Sequence, residues 1–357
     1  MIYFDNAATT QPIGAPQVFY NPSSPHALGI KAERAIRDAR NMVASVLGCA
    51  GEEIIFTSGG TESNNLAILG YALANIRQGV SFFSAKYEHP SILAPMRFAC
   101  ERGWGRLHDG DDIPSGNVLV SISHVNHETG DINDVNALSM SIKKSSPAAV
   151  VHVDGAQGFC KEPFSLRGVD LFTFSGHKFH GPAGVGGLWV RKGIRLAPLQ
   201  HGGGQESGLR SGTENVAAIV QMAEAAGTMS QGLKANHEHV AGIKNIMSGL
   251  RDALPDVYVN TLGKDTSPYI LNMSFLGIKG ETLVHALSEK GIYVSMGAAC
   301  RSRKREPTLA IMGFSQEIAE SAIRFSFSPF STMEEAELAR DLIMDEVNRL
   351  RRVIGVK

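Results

Sequence analysis

A chain of 357 residues that is 43% hydrophobic holds enough apolar side chains for one large lobe and a smaller one. Its formal net charge of −1 argues against a nucleic-acid or anionic-membrane footprint, and no apolar run is long enough to span a bilayer. The opening MIYFDNAATT carries Asp5 and no basic stretch leading into an apolar one, so no signal peptide is expected.

In chain order, Ser24-Pro25 sets a capping hydroxyl before a proline and predicts a helix start. Ala32, Ala35, Ile36, Ala39, Met42, Val43, Val46 and Leu47 then recur at helical spacing until Gly48 stops the helix. A short strand follows over 53–56, then the glycine-rich TSGGTES, then a helix through Leu66, Ile68, Leu69 and Leu73. Further apolar runs cover 80–83, 118–122, 148–151, 171–174 and 186–190. They are rich in β-branched and aromatic residues, and helical stretches lie between several of them. This alternation predicts an α/β fold with a largely parallel sheet covered by helices on both faces. Residues 217–254 read as mostly helical. Beyond 255, short strands (269–275, 293–295, 323–328) mix with helices and predict a smaller α+β lobe. The last helix has a capping box, Thr332 with Glu335, and an apolar stripe through Leu338, Leu342, Val347 and Leu350.

The four cysteines, Cys49, Cys100, Cys160 and Cys300, form no CxxC pair, so neither a disulfide framework nor a zinc site is expected and a reducing cytoplasm fits. The first three read as structural filler. Cys300 follows Gly297-Ala298-Ala299, small residues that allow close backbone approach, and precedes Arg301, Arg303, Lys304 and Arg305, cations that favour the reactive thiolate. His237-Glu238-His239 does not place both rings on one helix face, so a solvated helix is the better reading and no metal site is expected.

In open α/β sheets, ligands bind beyond the carboxyl ends of the strands. The segments that follow the strands hold Ser58-Gly59-Gly60-Thr61, then His89, then Asn126-His127-Glu128, then Asp154 and Gln157, then Ser175, His177 and Lys178. Each alone has an ordinary explanation as a turn, a loop residue or a helix cap. Together they form one chemical set. Gly59-Gly60-Thr61 at a helix start suits a phosphate, and Ser175 and His177 add donors. Asp154 is placed to hold a pyridine nitrogen protonated, His89 to stack on a flat ring, and Lys178 to condense with an aldehyde. A phosphorylated pyridine aldehyde has all these features, and it is pyridoxal phosphate.

HVDGAQ (152–157) and TFSGHKFHGPAGVGGLWVRK (173–192) resemble the cofactor motifs of pyridoxal-phosphate-dependent cysteine desulfurases of the NifS/IscS-like group, in the class V aminotransferase family. So do YFDNAATT (3–10), NPSSPH (21–26), EIIFTSGGTESNN (53–65), HGGGQESGLRSGTEN (201–215), GAACRSRKREP (297–307) and SAIRFSFSPF (321–330). The resemblance implies the aspartate-aminotransferase fold (fold type I). Its large domain, 14–250, would carry a mostly parallel seven-stranded sheet, and 1–13 with 251–357 would form a small α+β domain bearing the catalytic cysteine loop. By position, the resemblance implies that Lys178 carries the cofactor, Asp154 pairs with its ring nitrogen and Gln157 with its ring hydroxyl. It also implies that His89 stacks on the ring and assists Lys178 in removing the substrate Cα proton, and that Gly60, Thr61, Ser175 and His177 hold the phosphate. Thr213 would reach the phosphate of the other subunit of a homodimer, Arg324 would clamp the substrate carboxylate, and Cys300 would accept sulfur from L-cysteine. A sulfur acceptor protein for iron–sulfur assembly or tRNA thiolation would then receive it.

The chain departs from the family pattern at Asn126-His127, where two asparagines are usual near the ring hydroxyl and substrate carboxylate, and at Ser207, where arginine is common. Stretches 11–20, 101–116 and 307–313 are short for the group. Selenocysteine lyase, another carbon–sulfur lyase and a cofactor-holding docking subunit without turnover are the rival readings.

Overall fold

The computed structural model describes residues 2–7, 13, 20–108, 113–296 and 306–355. The chain divides into two compact units, the larger made of Gln11–His124 and Asn133–Gln231, the smaller of Met1–Thr10, Val125–Ile132 and Gly232–Lys357. After β1 (Ile2–Tyr3) of the smaller unit come α1 (Ala27–Leu47), β2 (Ile54–Thr57), α2 (Gly60–Ala74), β3 (Val80–Ser84), α3 (Pro90–Glu101) and β4 (Gly105–Leu107). The larger unit continues with β5 (Val118–Ser123), α4 (Val135–Ser145), β6 (Val150–Asp154), β7 (Leu171–Ser175), β8 (Gly186–Val190) and α5 (Val216–Gln231). The smaller unit resumes with α6 (Leu233–Ser248), α7 (Leu250–Ala253), β9 (Val257–Val259), β10 (Ile270–Phe275), α8 (Gly280–Glu289) and β11 (Ile292–Tyr293). It ends with α9 (Thr308–Ile311), α10 (Gln316–Glu320), β12 (Ala322–Ser326) and α11 (Met333–Ile354).

The larger unit is built on the expected seven-stranded sheet, in the order β2-β8-β7-β6-β5-β3-β4. β8 runs antiparallel to both neighbours and the other pairings are parallel. β6 and β7 are buried at every position, as strands covered on both faces are. One core packs α1 and α5 with Phe159, Phe172, Phe174 and Phe179, and a second packs α2 and α3 with Ile55, Phe82, Leu119 and Leu188. Phe159, just past β6, lies 5.1 Å from the Phe174 ring and 5.1 Å from the Phe179 ring. These contacts tie the segments on either side of Lys178 to the core, each buried ring contributing roughly 2–3 kcal/mol.

The smaller unit holds an antiparallel sheet, β12-β10-β9, and a parallel pair, β1-β11, over a core that includes Phe4, Tyr269, Phe275, Phe325 and Phe327. The Thr332–Glu335 capping box is present, each backbone amide bonded to the other residue's side chain at 3.1 Å. Among the described residues, no helix is long and apolar enough to cross a membrane.

Three local expectations shift. α1 starts at Ala27, capped by His26, whose Nδ1 accepts from Gly29 N at 3.1 Å. Ser24 lies before the helix instead, its N–H closing a turn onto Asn21 O at 3.2 Å. The run read at 148–151 becomes β6 at Val150–Asp154, because Ala149 N closes a turn onto Ser146 O. His152 can stay inside the strand because both ring nitrogens are matched, by Ser121 Oγ at 2.8 Å and Thr173 Oγ1 at 3.0 Å. In α11, Leu338 is 55% exposed, and the buried stripe runs instead through Ala336, Ala339, Ile343, Val347 and Leu350.

Candidate active site

The carboxyl ends of β2, β3, β5, β6 and β7 share one edge of the large sheet, and the reversed β8 begins there, with Thr57, Gly186 and Ser175 in one row. Past β2 the chain turns sharply at Gly59, with φ of +147°, a conformation that L side chains rarely adopt. Gly186 must also be glycine, since a Cβ there would meet Gly59 Cα at 2.7 Å. α2 therefore starts directly beside Ser175. A Cβ on Gly59 would lie 3.5 Å from Ser175 Oγ, and one on Gly60 3.5 Å from Ser175 Cβ. Gly59 caps α2 without a side-chain bond, and Thr61 is exposed in the first turn. Uncapped first-turn amides, two hydroxyls and the positive end of a helix make an anion cradle. His177 is held neutral, its pKa pushed down to about 4 by burial first and then by Lys178 and Lys161.

Lys178 ends a single 3-10 turn, Gly176–Lys178, that directly follows β7. Gly176 N bonds Val185 O, and both Phe179 N and Gly181 N bond Gly176 O. His180 has φ of +69°, and Phe179 is fully buried. The half-buried amine is thus carried by a fixed turn rather than a loose loop, which is what a cofactor-bearing lysine needs.

Asp154 closes β6 and is 8% exposed. Its Oδ1 accepts from Ala156 N at 2.9 Å and its Oδ2 from Asn64 Nδ2 at 2.9 Å. Asn64 Nδ2 also donates to Ser91 Oγ at 2.8 Å, and Ser91 Oγ lies 2.7 Å from His89 Nδ1. His89 is the N-cap of α3, accepting from Ser91 N at 3.2 Å. Gln157 is buried, its Oε1 accepting from Lys161 Nζ at 3.3 Å, which leaves its amide nitrogen as the donor end. Glu88 is buried, bonded by Ser123 N at 2.9 Å, and its pKa is pushed up to about 7 mainly by burial. Asn64, Ser91, Lys161 and Glu88 escaped the sequence reading. For Asn64 and Ser91 the signal was a polar residue on an otherwise buried helix face, whereas Glu88 and Lys161 lie in a bend and a turn and left none.

Asn126, His127 and Arg324 belong to the smaller unit. Asn126 Oδ1 accepts from Glu128 N at 2.8 Å and Thr129 N at 3.0 Å, so its carbonyl end closes a turn. Arg324, on β12, is 6% exposed. Its Nη1 donates to His127 O at 2.7 Å, its Nη2 lies 3.5 Å from Asp5 Oδ1, and its Nε has no partner among the described residues. Thr213, in the larger unit, is exposed. Cys300 and the basic run Arg301–Arg305 lie outside the described residues.

The larger unit's set fits a phosphorylated pyridine aldehyde on structural grounds. The Gly59–Gly60 cradle leaves room at the helix start, the Asp154 carboxylate is fixed by two donors, and an amine follows on the next strand end.

The aminotransferase class-V family model matches residues 2–338. A NifS/IcsS protein homolog of Lactobacillus delbrueckii subsp. bulgaricus is 40% identical, covering 94% of each chain. The cysteine desulfurase IscS of Buchnera aphidicola subsp. Acyrthosiphon pisum is 37% identical, covering 99% of this chain and 94% of its own. A solved NifS-like protein superposes with a TM-score of 0.88 at 34% identity, covering 97% of this chain and 99% of its own. A NifS-like protein from Rickettsia africae does so with a TM-score of 0.81 at 28% identity, covering 98% and 99%. An anion cradle at the strand edge, a turn-borne lysine, a family match over residues 2–338 and relatives of this kind agree: the chain belongs to the aminotransferase class-V family, among its NifS/IscS-like members.

Proposed function

We infer that the chain is a cysteine desulfurase, an enzyme that takes sulfur from L-cysteine, leaves L-alanine and passes the sulfur on through Cys300. The observation that carries this reading is the pairing of Lys178 on its fixed turn after β7 with the Asp154 carboxylate at the end of the neighbouring strand β6, on the same sheet edge. Pyridoxal phosphate, when bound, supplies the electron sink that makes the substrate Cα proton acidic.

The first-turn amides of Gly60 and Thr61, the Thr61 and Ser175 hydroxyls and the neutral His177 ring would hold the phosphate. Asp154 would accept the ring N–H, and its bonds from Ala156 and Asn64 hold the carboxylate in place. Gln157 would donate its amide to the ring oxygen, and His89 would stack on the ring. Arg324 receives the substrate carboxylate in a guanidinium fork, and the unpartnered Nε is a donor suited to that task. Asn126 and His127 serve the same substrate end, with a histidine where the family has its second asparagine.

Lys178, on its turn after β7, would hold the cofactor through its amine and, when freed, would take the substrate Cα proton on Nζ. Cys300 Sγ, as thiolate, bonds to the substrate sulfur while the carbon–sulfur bond breaks. The electron pair of that bond stays with the three-carbon fragment, which is protonated and leaves as alanine. A persulfide remains on Cys300 for an acceptor protein. Thr213 serves the phosphate of a second copy, and its exposure in a single copy is what that role requires.

Addition of L-cysteine to purified holoprotein is expected to yield alanine by chromatography and one added sulfur on the Cys300 peptide by mass spectrometry. Alanine without that adduct would move the sulfur-accepting role elsewhere. Faster turnover of selenocysteine than of cysteine would favour the lyase reading, and no alanine at all would leave the docking subunit.

A further inference from the structure

Two buried side chains of the larger unit, Asn64 and Ser91, link the Asp154 carboxylate to the half-buried His89 in a directional chain. Asn64, 1% exposed, has two amide hydrogens, and both are committed, one to Asp154 Oδ2 at 2.9 Å and one to Ser91 Oγ at 2.8 Å. The amide cannot be flipped, because that would aim Oδ1 at the carboxylate; in the observed orientation Oδ1 has no partner among the described residues. Ser91 Oγ therefore accepts from Asn64 and must give its own hydrogen to His89 Nδ1, 2.7 Å away. The same Nδ1 accepts from Ser91 N at 3.2 Å, since a backbone amide can only donate.

Two donors converge on Nδ1, so that nitrogen carries no proton and the neutral ring holds its hydrogen on Nε2. We propose that Asn64 and Ser91 are positioning residues that lock His89 in its Nε2-protonated form and tie that choice to the carboxylate holding the cofactor nitrogen. The proposal rests on the functional reading above and sharpens it. A ring locked this way donates a hydrogen bond from Nε2 and does not accept a proton there, so removal of the Cα proton falls to Lys178 alone. Asp154 and His89 also become one unit, since moving Asn64 releases both. Glu88 precedes His89 in the chain and is bonded by Ser123 N and Ser123 Oγ; Asp154 is bonded by Asn64 and Ala156.

The test is nitrogen NMR of holoprotein labelled at histidine, with the His89 signals identified by their loss in His89→Gln. At neutral pH the unaltered protein is expected to show an unprotonated Nδ1 and a protonated Nε2. Ser91→Ala removes the hydroxyl donor and should raise the midpoint for His89 protonation by about half to one pH unit, with the two tautomers mixing. Ser91→Thr keeps a hydroxyl and should restore the native pattern. Asn64→Ala should move the His89 midpoint in the same direction as Ser91→Ala. A proton on Nδ1 in the unaltered protein overturns the proposal, as does a midpoint that Ser91→Ala leaves unchanged. The unaltered protein alone decides the tautomer, so a variant that fails to fold gives no shelter. Cofactor content is read separately from visible absorbance. Protein lacking cofactor but showing the Nε2 hydrogen would refute the functional reading and support the lock.

Discussion

Replacing Arg40 with methionine should destabilise the larger unit severely, and the size follows from what the guanidinium meets. Nη2 lies 2.6 Å from Glu206 Oε1, Nη1 lies 2.8 Å from Oε2, and Nη1 also donates to Ile54 O at 2.6 Å. The Glu206 side chain is 1% exposed, and its other bond is from Phe56 N at 2.8 Å. Glu206 and Ser207 have φ of +50° and +57°, left-handed values that cost roughly 1–3 kcal/mol each and persist only where surroundings enforce them. Arg40→Met leaves the carboxylate buried and nearly unpaired, a loss of about 3–5 kcal/mol. At roughly 2–4 °C per kcal/mol for a unit of this size, the thermal midpoint should fall by about 6–20 °C. Adding Glu206→Gln removes the stranded charge while keeping an acceptor for Phe56 N, and should recover at least half of the loss. Circular dichroism against temperature and denaturant reads both. A single variant within about 1 kcal/mol of wild type, or a double variant no better than the single, would refute the reasoning. The pair also fixes the loop that carries Thr213, so cofactor retention should weaken in the single variant.

Lys178→Ala should abolish the tethered-cofactor absorbance without loss of fold, and an unchanged visible spectrum would reassign the lysine. Glu88 has a folded pKa raised to about 7 from 4.5, so the folded state binds the extra proton between those values. Stability should therefore decline by up to about 3 kcal/mol as pH rises from 4.5 to 7, and Glu88→Gln should flatten that limb in denaturant titrations. His152 is the opposite case, with burial lowering its pKa from 6.5 to about 4. The unfolded chain takes the proton first, so stability should drop as pH falls from 6.5 toward 4, and His152→Gln should lessen that slope. Thr332→Ala should lower stability by about 1 kcal/mol through loss of the cap on α11, measured by equilibrium unfolding.

Much of the fold was legible because the strands are buried on both faces and read as continuous apolar runs; Gly186–Val190 appears with the expected bounds. Its antiparallel direction was not legible, because direction depends on the path of the chain between strands and leaves no periodic trace. β6 was misplaced by two residues because His152 and Asp154 look like loop residues until their partners on β5, β7 and α2 are known. The glycines, Lys178 and Asp154 stood out since each follows a strand and carries unusual chemistry for a loop. Asn64 and Ser91 did not, because one looks like a helix polar residue and the other like a capping serine. Their meaning arises from residues distant in sequence, with Asn64 and Asp154 separated by 90 positions.

The account stands or falls most directly on where the cofactor is attached. Borohydride reduction of the holoprotein, followed by digestion and mass spectrometry, should place pyridoxal phosphate on the peptide containing Lys178 and leave Lys161 unmodified. Cofactor fixed on Lys161 or another lysine, or none retained after reduction, would contradict it.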